Sequence, residues 1–218
     1  MHRADPLTMR RYAAGVTSSP RRRGLRRDVI VDAAAALISA EGLDSFTLRR
    51  LADRFEVSAP ALYTHFTDKN DVLRAVAEHY FAALTARYAD IDANADPDRP
   101  LDRVREQCRT YVNLALEDPE LFRVMFLFPP ALRGVTPAEH NQSLPAADEA
   151  VTTAISALED AIELGQLEDV EPLTVALSLW AAVHGIANLL VLGVDPTTAR
   201  TLVDEVTTRI LLGYGARD

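Results

Sequence analysis

The sequence predicts an all-α chain in two parts. Three observations support this. Ala and Leu are abundant while β-branched and aromatic runs are scarce, which favours helix over strand. Apolar residues recur at helical spacing through most of the 218 residues. Gly, Pro and short hydroxyl or acidic side chains stand where those periodic stretches begin and end. The length allows a sizeable core in one or two domains, and 48% hydrophobic with 25% charged residues is an ordinary globular balance.

Residues 1–24 are polar, Arg-rich and broken by Pro6, Gly15, Pro20 and Gly24, and they read as a disordered basic arm. A first helix spans about 26–41, with Ile30, Ala34, Leu37 and Ile38 on one face and Gly42 ending it. Thr47 caps a second helix, in which Leu48, Leu51, Ala52 and Phe55 recur at i, i+3, i+4 and i+7. Glu56-Val57 forms a tight turn. Ser58 caps a short third helix ending at Phe66, with Pro60 in the first turn, where a missing N–H costs nothing. Thr67 or Asp68 caps a fourth, running to about Ala89 with Leu73, Val76, Ala77, Tyr80 and Leu84 inward. An acidic break over 90–100 contains Pro97 and Pro100. Further helices are expected at about 101–117, 119–127, 145–164, 171–193 and 196–212. Gly165 and Gly213 are the expected stops, and Asp195-Pro196 is an N-cap followed by Pro. Residues 129–144 read as a loop with at most one helical turn after Thr136.

The net charge of −9 is unevenly divided. Residues 1–74 hold 13 Lys+Arg against 9 Asp+Glu, a net +4, and residues 75–218 hold 10 against 23, a net −13. A basic start on an acidic body points to a local polyanion site, although a basic tail on an acidic protein has the same signature. Lys69 is the only lysine among 23 basic residues, which fits a GC-rich bacterial genome. Cys108 is the only cysteine, so no intrachain disulfide exists and a reducing, cytoplasmic setting is expected. The first 24 residues contain no apolar stretch of the secretory kind.

Residues 172–194 carry no Asp, Glu, Lys or Arg and are long enough to span a bilayer. They also hold Ser178, His184, Gly185 and Asn188, and acidic flanks (Glu168, Asp169, Glu171, Asp195) replace the Lys/Arg anchors of a membrane helix. The reading is a helix buried by protein, central or at a subunit interface, with no membrane partner. Catalytic signatures are missing: no Gly-x-Ser-x-Gly, no Gly-x-Gly-x-x-Gly, no phosphate loop. The five histidines form no His-x₃-His or Glu-x-x-His pair, so neither an enzyme, a metal site nor a cofactor is expected.

Two short helices joined by a tight turn and buttressed by a third form a helix-turn-helix pattern. The second of such a pair can enter the major groove with its N-terminal residues at base edges. Here these are Ser58, Ala59, Pro60 and Ala61, small enough for close backbone approach and for contact with thymine methyls. The same spacing occurs in folds that bind no DNA. A helical small-molecule-binding or interaction protein without DNA binding is therefore the rival reading.

The stretch FTLRRLADRFEVSAPALYTHFTDKNDVLRAV, within residues 27–84, resembles the DNA-binding region of TetR-family regulators. The resemblance implies a three-helix reader, a fourth connecting helix and an all-helical C-terminal domain that dimerises and holds an effector pocket. It places Thr47 at a phosphate-contacting cap and Arg49 where a bidentate contact to guanine is possible, with the solvated-residue reading equally open. Ser58, Ala59, Pro60 and Ala61 fall at the groove-facing start of the reading helix. Tyr63 and His65 match phosphate contacts, and Lys69 a phosphate-gripping lysine. Thr64 departs from the aromatic often found there. Arg21–Arg23 and Arg26 suit a basic arm following the duplex. The implied partition is 1–24 arm, 25–70 DNA-binding domain and 71–218 ligand-binding and dimerisation domain.

In the C-terminal part, LSLWAAVHGIANLLVLG and DPELFRVMF resemble a Trp-His-Gly subgroup of the same family. Trp180, His184 and Asn188 lie four apart and share a helix face. That face either lines a pocket or packs in a core where the polar groups satisfy backbone or dimer mates. Cys108, Tyr111, Phe122, Met125 and Phe126 are further pocket candidates, each also readable as plain core. The last helix carries Ala199, Leu202, Val203, Val206 and Ile210 at helical spacing. Paired with the uncharged helix it suits a two-fold four-helix interface, with Trp180, Leu189, Leu202, Val206 and Ile210 as the expected contacts. The expected partners are a palindromic DNA operator, a small-molecule effector and a second copy of the chain.

Overall fold

The computed structural model describes residues 25–128 and 144–217; the basic arm, with Arg21–Arg23, and residues 129–143 of the expected loop lie outside them. The described residues form nine α-helices and no strand. They fall into two compact units divided between Val76 and Ala77.

In the first unit, α1 (Arg27–Glu41) buries Ile30, Val31, Ala34, Leu37 and Ile38. Gly42 ends it at φ +84°, donating its N–H to the Ile38 carbonyl. A 3₁₀ turn (Leu43–Ser45) leads to Phe46, which is fully buried. Thr47 then caps α2 (Leu48–Arg54), its hydroxyl oxygen accepting from the Arg50 N–H at 3.2 Å.

The turn after α2 is a complete Schellman cap. Glu56 N–H donates to the Asp53 carbonyl and Val57 N–H to the Ala52 carbonyl, with Glu56 at φ +55°. Three later helices close with the same pair of bonds, and there the left-handed residue is glycine: Gly165, Gly193 and Gly215. Glu56 is the only non-glycine residue at positive φ among the described residues.

The third helix, α3 (Ala59–Leu62), is shorter than expected, since residues 63–65 form a turn before Phe66. Ser58 occupies its N-cap position without a side-chain cap bond, which corrects the expected capping role. Leu62 and Phe66 are buried in the core. The next helix, α4 (Lys69–Asn94), starts on a reciprocal arrangement: Asp68 Oδ1 accepts from Asp71 N–H at 2.8 Å, and Asp71 Oδ2 from Thr67 N–H at 3.0 Å.

Helix α4 crosses the division and runs to Asn94, beyond the expected end near Ala89. No Pro or Gly interrupts residues 90–94. Asp92, which the sequence reading put in the break, is instead held by Gln107 at 3.4 Å and lies 3.8 Å from the Arg103 guanidinium.

In the second unit, α5 (Pro100–Glu117) is central. Around it pack α7 (Pro145–Glu163), α8 (Pro172–Val191) and α9 (Pro196–Gly213), with α6 (Pro119–Phe126) against α5 and α8. The start of α7 is fastened to the later turns of α4, where Thr85 donates to the Ala146 carbonyl at 3.0 Å and Glu78 accepts from the Ala146 N–H at 3.2 Å. Ion pairs tie the outer faces: Arg87 with Glu117 at 2.7 Å, Arg103 with Asp160 at 2.5 Å, and Arg109 with Asp204 at 2.6 Å. Gly213, expected as the stop of the last helix, is its final helical residue, and Gly215 makes the left-handed turn.

Candidate nucleic-acid interface and ligand cavity

The expected DNA-contacting residues of the first unit lie on the helix pair and the start of α4. Thr47, Arg49, Ser58, Pro60, Tyr63 and Lys69 are exposed, and Ala59, Ala61 and His65 are half-buried. Tyr63 presents 54% of its surface, unusual for so large an apolar ring. Thr47 accepts a bond as a cap, which leaves its hydroxyl proton to donate. Arg49 has no partner among the described residues. Its neighbour Arg50 is instead committed to Glu41 and to the Ser45 carbonyl. Arg26 is engaged by Asp28 at 2.6 Å. Thr64 spends its hydroxyl on the Ala61 carbonyl at 2.8 Å. The Lys69 ammonium sits 5.6 Å from the centre of the Phe46 ring, which steadies its stem while its charge stays in solvent.

Arg27 sets the turn that carries Tyr63 and His65. Its guanidinium donates to the His65 carbonyl at 2.6 Å and to Asp71 Oδ1 at 3.0 Å, and it lies 4.2 Å over the Phe66 ring. Asp71 is partly desolvated, which works to raise its pKa. The Thr67 N–H and Arg27 more than offset this and hold the carboxyl below the usual range. The sequence reading did not single out Arg27. Nothing in its local spacing reports that residues 38 and 44 positions away fold back onto it.

The second unit contains two adjoining cavities. One, of about 90 Å³, is lined by Phe81, Tyr111, Phe122, Met125, Phe126, Trp180 and His184. The other, of about 70 Å³, shares Phe81, Tyr111 and Trp180 and is otherwise walled by Leu84, Tyr88 and aliphatic residues of α7 and α8, among them Ala147, Ala150, Ala154, Leu173 and Leu177. The rings meet edge to face, Tyr111 with Phe122 at 5.4 Å and Phe126 with His184 at 4.1 Å between centroids. The Tyr111 hydroxyl lies 2.9 Å from His184 Nδ1. Burial pushes the Tyr111 phenol up and the His184 imidazole down.

Six sequence candidates (Tyr111, Phe122, Met125, Phe126, Trp180, His184) thus meet at one cavity. Cys108 and Asn188 do not join them. Cys108 is buried, and burial pushes its thiol up to about 11. Asn188 is exposed, because two helical turns beyond Trp180 the α8 face has rotated out to solvent. Phe81, Tyr88 and the alanines of α7 were not anticipated, since their inward face is defined only by the helices opposite.

Of the expected dimer contacts, Leu189 is exposed at 40%, and Trp180, Leu202, Val206 and Ile210 are half-buried. Ala181, Gly185, Leu189 and Leu192 form an open apolar stripe on α8, with Leu192 79% exposed. By length and composition α8 qualifies for a membrane. Its opposite face (Val175, Leu179, Val183, Ile186, Ala187, Leu190) is nonetheless buried in the unit's core. Among the described residues no cluster of His, Cys, Asp and Glu suits a metal ion.

Comparison with known proteins places both units. A family model described as bacterial regulatory proteins, tetR family, matches residues 30–76. A Tetracyclin repressor-like, C-terminal domain model matches residues 104–211. The first covers the helix pair, and the second runs from α5 through α6, α7 and α8 into α9. The tetracycline repressor protein class C of Escherichia coli is 38% identical over 74 residues, 34% of this chain and 32% of that protein. The match to such repressors therefore spans about a third of their length. An uncharacterised HTH-type transcriptional regulator of Mycobacterium tuberculosis is 26% identical over 208 residues, 95% of this chain and 89% of that protein. A solved protein of unknown function from Rhodococcus sp. RHA1 superposes with a TM-score of 0.72 at 26% identity, covering 92% of this chain and 100% of that one. None of these matches identifies the Trp-His-Gly subgroup, which rests on the resemblance of LSLWAAVHGIANLLVLG and DPELFRVMF.

Proposed function

The chain belongs to the TetR family of bacterial regulatory proteins, and we propose that it is a dimeric, sequence-specific DNA-binding repressor released from a palindromic operator by a small molecule. The observation that carries the reading is the exposed set on the first unit. Thr47 and Arg49 at the start of α2, Ser58–Ala61 at the start of α3, and Tyr63 and Lys69 beyond it are exposed or half-buried, with the charged groups of Arg49 and Lys69 in no ion pair among the described residues. In this reading Tyr63, His65 and Lys69 hold phosphates, which fixes register without sequence information. Arg49 and residues 58–61 read base edges. The acidic remainder of the chain keeps the rest of the protein off the duplex.

So few contacts per reader call for two readers. The open stripe on α8, with Leu202, Val206 and Ile210 of α9, supplies a self-complementary apolar face for a two-fold partner. This accounts for an uncharged helix without invoking a membrane, and suits a cytoplasmic protein. The cavity of the second unit holds the effector. Helix α4 carries Lys69 at its start and Phe81, Leu84 and Tyr88 at the cavity, so a ligand that favours one position of α4 shifts the DNA-binding population.

Selection from a pool of random duplexes at physiological salt tests the reading. Recovery of a palindrome with half-sites about one helical turn or slightly more apart supports it. Retention without sequence preference, or none, refutes the reader.

A further inference from the structure

We infer that the cavity of the second unit selects a small, uncharged, single-ring aromatic molecule bearing one hydrogen-bond acceptor, addressed by His184 Nε2–H. The inference rests on the effector-binding reading of that unit and adds the ligand's chemistry.

Size sets the first limit. The two cavities, about 90 and 70 Å³, are each smaller than the apolar cavity of about 150 Å³ that accepts benzene. They share the walls Phe81, Tyr111 and Trp180, and together just reach that volume. One ring with a short substituent fits if a shared side chain turns; a fused ring system or a long acyl chain does not.

Polarity sets the second. Among the described residues no Asp, Glu, Lys or Arg lines either cavity. A charged ligand would lose its hydration without gaining a partner. Aromatic faces attract cations, but no carboxylate stands behind them here, and burial keeps His184 neutral with a donor on its ring.

The donor follows from the hydrogen bonds. The Tyr111 oxygen and His184 Nδ1 stand 2.9 Å apart, and since a phenol O–H is the stronger donor and an imidazole nitrogen the stronger acceptor, Tyr111 is assigned as the donor to Nδ1. A neutral imidazole accepting at Nδ1 carries its proton on Nε2. Among the described residues that N–H has no partner, so it is free to donate to an acceptor on a ligand.

Trp180 is the only tryptophan and lines both cavities, so its selectively excited fluorescence reports occupancy in the full chain without DNA. Four probes share one ring and differ in a single substituent: toluene, benzyl alcohol, benzoate and benzylammonium. Benzyl alcohol is expected to saturate the signal about fivefold to tenfold more tightly than toluene, the worth of one hydrogen bond. Both ions are expected to bind at least about tenfold more weakly than the alcohol. His184→Phe keeps a ring and removes the donor, and should bring benzyl alcohol down to the toluene level. If that variant fails to fold, Ala154→Leu, which narrows the smaller cavity, should weaken toluene and benzyl alcohol together. Equal or tighter binding of either ion, no preference for the alcohol, or no binding by any probe overturns the inference. Benzyl alcohol that binds here without releasing DNA leaves the ligand class standing and refutes ligand-triggered release. A charged compound that binds here and releases DNA does the reverse.

Discussion

The Tyr111 hydroxyl and His184 Nδ1, 73 residues apart, meet at 2.9 Å across α5 and α8. This bond makes a polar centre in a cavity lined mainly by aromatic and aliphatic side chains. With Tyr111 donating to Nδ1, the ring proton of neutral His184 sits on Nε2.

Burial holds His184 below the usual histidine range. The unfolded chain, with an ordinary pKa of about 6.5, binds a proton that the folded chain refuses. The contribution of His184 to stability is therefore complete above about pH 6.5 and declines as pH falls toward the lower folded value. The melting temperature should drop between pH 7 and pH 5.5 by more in the parent than in His184→Phe. Equal drops would remove His184 from the acid response.

Arg27 joins three things at once: the His65 carbonyl, Asp71 and the Phe66 face. Its side chain is half exposed, so the ion pair itself contributes little. The carbonyl bond and the stacked stem contribute more. Arg27→Ala should cost about 1–2 kcal/mol of stability in urea unfolding. It should also weaken DNA binding, because the turn carrying Tyr63 loosens. Arg27→Lys should recover only part of either loss, since an ammonium cannot stack and fork together.

Thr47 and Ser58 occupy equivalent positions before α2 and α3, and only Thr47 caps. Thr47→Ala should cost about 1 kcal/mol, and Thr47→Ser should restore it. Ser58→Ala should leave stability within about 0.5 kcal/mol while lowering operator affinity. Thermal melts alongside operator titrations separate the two effects. A large stability loss for Ser58→Ala would mean that its hydroxyl caps after all.

Glu56 closes the Schellman turn of the helix pair at φ +55°. A left-handed residue with a Cβ costs roughly 1–2 kcal/mol, and a β-branched one more. Glu56→Val should therefore destabilise the first unit by at least about 1 kcal/mol, whereas Glu56→Gly should not. Chemical denaturation of both variants checks the sign.

Tyr63 and Lys69 are exposed and contribute little to the core. Replacing either with Ala should leave melting within the range of an ordinary surface change and weaken DNA binding about equally across sequences. For Lys69→Ala the slope of log affinity against log salt should shrink by about one. An unchanged slope would place Lys69 away from the phosphates.

Much of this protein was legible in local sequence. Helix composition, the Thr47 cap, the Gly42 and Gly165 stops and the Pro-led starts at Pro60 and Pro196 are decided within a few residues by backbone sterics and short hydrogen bonds, so neighbours in sequence suffice to read them. The aromatic and histidine candidates of the cavity were visible for the same reason, as faces at helical spacing. Which faces meet was not. Arg27 reaching His65 and Asp71, Tyr111 reaching His184, Asn188 turning out to solvent while Phe81 turns in, and α4 continuing to Asn94 depend on contacts between residues far apart in the chain. Those contacts are set by how helices pack, and helical periodicity states only that a face is apolar, not what covers it.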